Sequence, residues 1–326
     1  MKNKKRKPRG IKHKIREEKK REQRIGLAII IAILITIITV SSLFIHSMLS
    51  SSQQAQGTGS TFKPRAAIVD HLSLTASNQT FIQTAVTTLG NTGFSVDYYQ
   101  GEKVTVKFYR DLPTHGFRLL ILRVHSALVS AGEPPVSLFT SEPYSKTKYV
   151  YEQLADQLGW VTYRFENGTP KEPTYFGISP LFIKHSMNGR FPDTLVIMMG
   201  CNGLTYTDMA EAFIEKGAKV YVSWNDSVLA SHTDSATTHL LQYLFTQELT
   251  LEESLKETFK KVGVDPIYKS LLTYYPPEAG DYTPWDFIGC LVTGNTIGIR
   301  HIATPRRRIS SYGFCVESLK RWKLTK

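Results

Sequence analysis

Residues 25–45 (IGLAIIIAILITIITVSSLFI) form an uncharged run of 21 positions, and this run constrains the chain more than any other feature. As a helix it would reach about 31 Å, enough to cross a hydrocarbon core of roughly 30 Å. A helix buried in a soluble core would need an amphipathic or flanking partner pattern, and this run is apolar all round. A cleaved signal peptide would have a shorter apolar region and a small-x-small cleavage site, which Ser-Met-Leu-Ser-Ser-Ser does not offer. The expectation is therefore an uncleaved transmembrane signal anchor over residues 25–48.

Charge sets the orientation. Residues 1–24 hold 13 Lys/Arg and 3 Glu, whereas residues 50–61 hold no charge at all. The positive-inside rule puts the amino terminus in the cytoplasm and the long domain outside, which predicts a single-pass protein of the cell membrane. Anionic lipid beside the segment is an expected neighbour of such a basic tail. The net charge of +12 would ordinarily raise nucleic-acid binding, but residues 25–300 carry 20 basic and 24 acidic side chains. The tail's only ring is that of His13, so base stacking lacks a platform and no nucleic-acid partner is expected.

Five segments follow from this reading: a basic cytoplasmic tail (1–24), the anchor (25–48), a Ser/Gln/Gly-rich stalk (49–65), a globular domain (66–300) and a basic extension (301–326). Within the domain, 66–70, 94–98, 118–124, 194–199 and 219–224 read as strands. Residues 78–89, 206–216, 233–246 and 251–262 read as helices, the first closing at Gly90 and Gly93. This alternation predicts an open α/β sheet with a mostly parallel centre, covered on both faces. Residues 130–190, made of Pro/Gly-rich and hairpin-like pieces, read as an insertion between the third and fourth strands.

Sites in parallel sheets lie beyond the carboxyl ends of the strands. Those ends carry Asp70-His71, His125-Ser126, Gly200-Cys201-Asn202-Gly203 and Trp224-Asn225-Asp226. A histidine and a cysteine leave neighbouring strands at the same edge, as a thiol nucleophile with an imidazole partner requires. Gly200 and Gly203 are expected to let the backbone turn so that the Cys201 amide can face a developing oxyanion. There is no GxSxG, Walker A, HExxH or GxGxxG motif, which removes the main support for serine hydrolase, NTPase, zincin and dinucleotide readings. Three cysteines exclude a disulfide-stapled scaffold and a four-thiolate zinc site. His71, His232 and Asp234 have no further ligand at local spacing, so no metal is expected. Outside the cytoplasm, Cys290 and Cys315 are candidates to pair and leave Cys201 free. Sequons stand at Asn78, Asn167 and Asn225, the last inside the expected cleft.

With LLILRVHSA and LVIMMGCNG in place, the chain resembles the caspase-like cysteine peptidases, the superfamily of caspases, gingipains, legumains, separases and CHAT domains. Its pattern is most like the CHAT and gingipain types. The segment KGAKVYVSWNDSVLASHTDSATTHLLQYLFTQELTLEESLKET is similar to the family's fifth strand, polar loop and helix pair, and GDYTPWDFIGCLVTG to its closing strand. The resemblance covers residues 66–294. It implies a three-layer sandwich in which Cys201 is the nucleophile, His125 the proton carrier, and the Cys201 and Ser126 amides the oxyanion donors. It also implies a peptide or protein substrate and no cofactor. By the same resemblance Asp70, His71, Trp224, Asn225 and Asp226 would line the pocket for the side chain before the cleaved bond, and two carboxylates beside an indole would suit Lys or Arg. The alternative is an inactive relative that binds peptide as a receptor or scaffold. Two departures bear on it: serine follows His125 where the family has glycine, and glycine precedes Cys201. Nothing in the sequence specifies an oligomeric state.

Overall fold

A computed structural model of the chain describes residues 63–130 and 133–288. The expected anchor, most of the stalk, the basic tails, Cys290 and Cys315 lie outside the described residues. Among the described residues no helix is long and apolar enough to cross a membrane.

The chain first lays down β1 (Arg65–Asp70), α1 (Gln79–Asn91), β2 (Ser95–Gln100), α2 (Val106–Asp111) and β3 (Leu119–Arg123). There follow β4 (Ser126–Ser130), β5 (Glu133–Pro143), α3 (Val150–Leu154), β6 (Leu158–Val161), β7 (Phe165–Glu166), β8 (Thr169–Pro170), β9 (Tyr175–Ile178) and α4 (Pro180–Ser186). The remainder is β10 (Thr194–Met198), α5 (Asp208–Glu215), β11 (Ala218–Trp224), α6 (Ala230–Leu241), α7 (Leu251–Val262), β12 (Leu272–Tyr275) and α8 (Trp285–Ile288).

The main sheet has the order β12-β11-β10-β3-β1-β2, parallel except for β12, which runs antiparallel to β11. All five residues of β3 and of β10 are buried, as in strands flanked on both edges and covered on both faces, and all are apolar except Arg123 and Thr194. Side chains then alternate between two cores. Leu119, Ile121, Leu195, Ile197, Val220 and Val222 meet Phe81 and Leu89 of α1, Leu240 of α6 and Leu251 of α7. Leu120, Leu122, Val196, Met198 and Tyr221 meet Tyr109 of α2, Phe182 of α4 and Phe213 of α5. Each fully buried Leu or Phe contributes roughly 1.5–3 kcal/mol. The α/β architecture with a mostly parallel sheet between helices agrees with the sequence pattern.

One expectation gains detail and another changes. The stretch read as an insertion builds a second, antiparallel sheet of order β4-β5-β9-β6, whose inner residues Val136, Leu138, Phe176 and Ile178 join the core shared with α4 and α5. The strand expected within 280–294 is not one where it is described. Pro277–Asp281 is a 3-10 turn and Trp285–Ile288 a helical turn, while Leu272–Tyr275 closes the sheet. Pro276, Pro277 and Pro284 lack the N–H that a ladder needs, whereas Leu-Thr-Tyr-Tyr is free of Pro and rich in strand formers. Helix α6 also begins and ends earlier than its pattern suggested, passing into a π turn at Gln242–Thr246.

Candidate active site

Leu122 and Met198 are register partners on adjacent parallel strands. His125 and Cys201 each lie three residues further on, so both leave the same edge of the sheet at the same level. The two backbones stay close past the strands. Ser126 Oγ donates to the Cys201 carbonyl at 2.6 Å, and a Cβ on Gly200 would fall on Ser126 Oγ and on the Val124 carbonyl. The two departures from the family pattern therefore fit one another: a serine side chain after the histidine takes the space that a glycine before the cysteine leaves. Neither Gly200 nor Gly203 adopts a left-handed backbone; Asn202 does, at φ 61°. The glycines serve by their lack of a side chain, since a Cβ on Gly203 would meet Ser223 and Met198.

The thiol is engaged by the loop that follows β11. Cys201 Sγ accepts from the Val228 amide at 3.4 Å and lies 3.7 Å from the Val228 carbonyl, packed against Trp224, Val228 and Ala236. Burial pushes the thiol above its ordinary pKa, the Val228 backbone and Ser227 hydroxyl pull it back, and the charges of Asp226 and Asp265 push it further up. The loop carrying Val228 is tied down. Asp265 Oδ2 accepts from the Leu229 amide at 2.8 Å, Ser270 Oγ donates to the Ser227 carbonyl at 2.7 Å, and Asn225 Oδ1 accepts from the Leu271 amide at 2.8 Å.

His125 Nε2 lies 2.8 Å from Thr75 Oγ1. Its ring stacks on Tyr163 at 5.4 Å between centroids and packs near His71 and Phe139. Burial, followed by the Arg123 charge, lowers its pKa to about 4. Among the described residues no hydrogen bond joins His125 to Cys201. At neutral pH the pair is therefore a neutral imidazole and a protonated thiol.

Of the five expected pocket residues, two face solvent. Asn225 and Asp226 are exposed, and Asp226 Oδ1 accepts from the Ser227 amide at 2.6 Å. Asp70 is fully buried: it is the register partner of Arg123, whose Nη1 donates to it at 2.7 Å, and it accepts from Tyr98 OH at 3.0 Å. A carboxylate so engaged is no pocket wall. His71 is likewise fully buried, with both ring nitrogens unpartnered and its pKa lowered to about 4 by burial and then by His125, against a weak opposing pull from the Thr140 backbone. Trp224 is 1% exposed; its indole donates to Thr233 Oγ1 at 2.9 Å and its ring meets that of His232 at a tilt, so it is not open to a substrate side chain.

Under the site runs an ion-pair network absent from the sequence reading. Arg123 grips Asp234 through Nε at 2.7 Å and Nη2 at 2.8 Å, and Nη2 also donates to the Ala76 carbonyl at 2.6 Å. Asn78 adds a 2.9 Å bond to Asp234 while its Oδ1 caps α1, so this sequon amide is already committed. Burial opposes the Arg123 charge, but Asp234 and Asp70 outweigh it and hold its pKa above the ordinary value. A sign of this network was visible: an arginine inside a central strand must find a buried counter-ion. Asn167 sits at the exposed tip of the β7–β8 hairpin with φ 51°. No group of three or more His, Cys, Asp or Glu able to hold a metal is present among the described residues.

No family model matches the chain, and no curated protein matches it. Among solved structures it is similar to the Arg-specific cysteine proteinase gingipain R, with a TM-score of 0.37 and 11% identity, over 61% of this chain and 42% of that one. The chain thus spans less than half the length of that structure.

Proposed function

We propose that the protein is a membrane-anchored cysteine peptidase of the caspase-like type, with Cys201 as nucleophile and His125 as proton carrier. The observation that carries the reading is the shared level of His125 and Cys201, three residues past the Leu122–Met198 pair on adjacent strand ends. The Cys201 sulfur attacks the scissile carbonyl while His125 takes the thiol proton. Because the resting pair is neutral, the transfer accompanies the attack. The oxyanion is received by the Cys201 amide, which no turn hydrogen bond engages among the described residues, and by the Ser126 amide on the edge strand β4. His125 then protonates the leaving amine. A water, deprotonated by His125, hydrolyses the thioester and restores the thiol.

For this the thiol must leave Val228 and the imidazole must turn toward it, a movement that a bound peptide would have to drive. Asp226, exposed and close enough to raise the thiol's pKa, favours a Lys or Arg before the cleaved bond. Asp70 and Trp224 take no part in that preference. Residues 25–48 hold the domain at the outer face of the cell membrane in this reading. A peptide-library cleavage assay on the full chain tests it: cleavage after Lys or Arg that disappears in Cys201→Ala supports it, and cleavage that persists in that variant refutes it.

One observation favours a second reading, a peptide-binding receptor without turnover: the thiol is seated on Val228 with no imidazole partner. Labelling Cys201 with an electrophilic peptide probe separates the two. A peptidase is labelled faster than free cysteine, and a receptor is not.

A further inference from the structure

We infer that the free edge of β4 binds the part of the substrate that follows the cleaved bond, as an extended strand running parallel to β4. The inference rests on the peptidase reading and adds to it the recognition of the leaving side. The Phe139 amide donates to the His125 carbonyl at 3.0 Å, and the register continues through Ser126–Leu138, Ala127–Ser137 and Leu128–Val136. In an antiparallel ladder, residues that bond to the partner strand alternate with residues whose N–H and C=O point the other way. His125 and Ala127 therefore face β5, while Ser126 and Leu128 present their amides and carbonyls to the opposite side. On that side β4 is the last strand of its sheet, and among the described residues no turn hydrogen bond engages those four groups. An edge left open in this way is a template for one more strand.

The sheet order decides which part of a peptide reaches this edge. In the proposed mechanism the residue before the cut lies by Asp226, past β11, and the attacking sulfur lies past β10. The next strand across is β3, which leads through Val124 and His125 into β4, so the chain beyond the cut crosses onto β4. The Ser126 N–H already receives the carbonyl of the cleaved bond. In parallel pairing the Ser126 carbonyl then accepts from the N–H of the second residue after the cut, and the Leu128 N–H donates to that residue's carbonyl. Both main-chain groups of one substrate residue are bound. Ser126 and Leu128 turn their side chains inward, to the Cys201 carbonyl and to the core. The bound residue's side chain falls instead beside Ala127 and the exposed Val129, which suits an apolar residue. The irregularity between Leu128 and Ser130 ends the regular ladder, so the pairing stops there.

The test uses the full chain in detergent micelles and the peptide acetyl-Ala-Ala-Arg-Ala-Val-Ala-amide, with binding read on Cys201→Ala and hydrolysis on the wild type. Replacing the N–H of the Val, the second residue after Arg, by an ester oxygen should weaken binding about threefold to tenfold and lower kcat/KM by a similar factor. The same replacement at the following Ala, whose N–H points away from β4, should change both by less than about twofold. Leu128→Pro removes the protein's donor at an edge position, where proline is tolerated. It should weaken binding of this peptide and leave unchanged the binding of one that ends at the Ala after Arg. Equal losses at the two ester positions, or no loss at either, would overturn the inference, as would failure of the peptide to bind. Should the proline variant misfold, the ester series still decides. Hydrolysis that survives Cys201→Ala would instead sink the peptidase reading and leave the ester pattern in binding standing.

Discussion

His71 is buried with neither ring nitrogen paired, and its pKa falls to about 4 in the folded chain against about 6.5 when unfolded. A folded pKa below the unfolded one means that the unfolded chain binds the extra proton first. Stability from this group is complete above pH 6.5 and is lost as pH falls toward 4, on the order of 3 kcal/mol in all. His125 shifts in the same direction, and its charge is one cause of the His71 shift, so the two losses overlap. His71→Leu should keep or raise stability at pH 7, since it removes unpaired buried nitrogens, and should flatten the fall between pH 6.5 and 4. Urea midpoints across that range check this; an unchanged acid slope in the variant would contradict it. At this scale the sequence showed which residues stand past the strand ends and concealed their partners. The placement of His125 and Cys201 was legible because strand ends are legible. That Asp70 turns inward was not, because Arg123 lies 53 residues from Asp70 and 111 from Asp234, and the three meet only once those separations are folded away.

Strands β3 and β10 were readable as continuous apolar runs, and α7 as a segment opened by Thr250, whose capping box with Glu253 is formed. The second sheet was readable only as hairpin-like pieces, since its short strands β4, β6 and β9 are separated by turns and pair out of chain order. The closing strand was not readable: residues 280–294 have the longer apolar pattern and Leu272–Tyr275 the shorter, although Pro284 argues against a ladder in the former. The close approach of the β3 and β10 extensions yields a prediction about both elements. Gly200→Ala should cost about 1–3 kcal/mol, because its Cβ meets Ser126 Oγ and the Val124 carbonyl. Adding Ser126→Gly should recover part of that loss and not all, because the carbonyl remains. A chemical-denaturation cycle measures the coupling, and strictly additive costs would show that the two positions do not share space.

For the whole molecule, the described domain is built on a mostly parallel main sheet with a core on each face and a smaller antiparallel sheet beside it, and the proposed site lies at the carboxyl edge of the main sheet. Placing it outside the cell rests on the charge contrast between residues 1–24 and 50–61. Protease added to intact cells should therefore digest residues 63–288 and spare a tag at the amino terminus; protection of the domain would reverse the orientation. The central claim is that Cys201 forms a covalent bond with its substrate. The most direct measurement is mass spectrometry of the full chain, quenched in acid during turnover of a peptide ester with Arg at the cleaved bond. The account predicts one acyl group, located on Cys201 and absent from Cys201→Ala, with its formation slowed by orders of magnitude in His125→Ala. Turnover without any adduct on Cys201, or at an undiminished rate in Cys201→Ala, would contradict it.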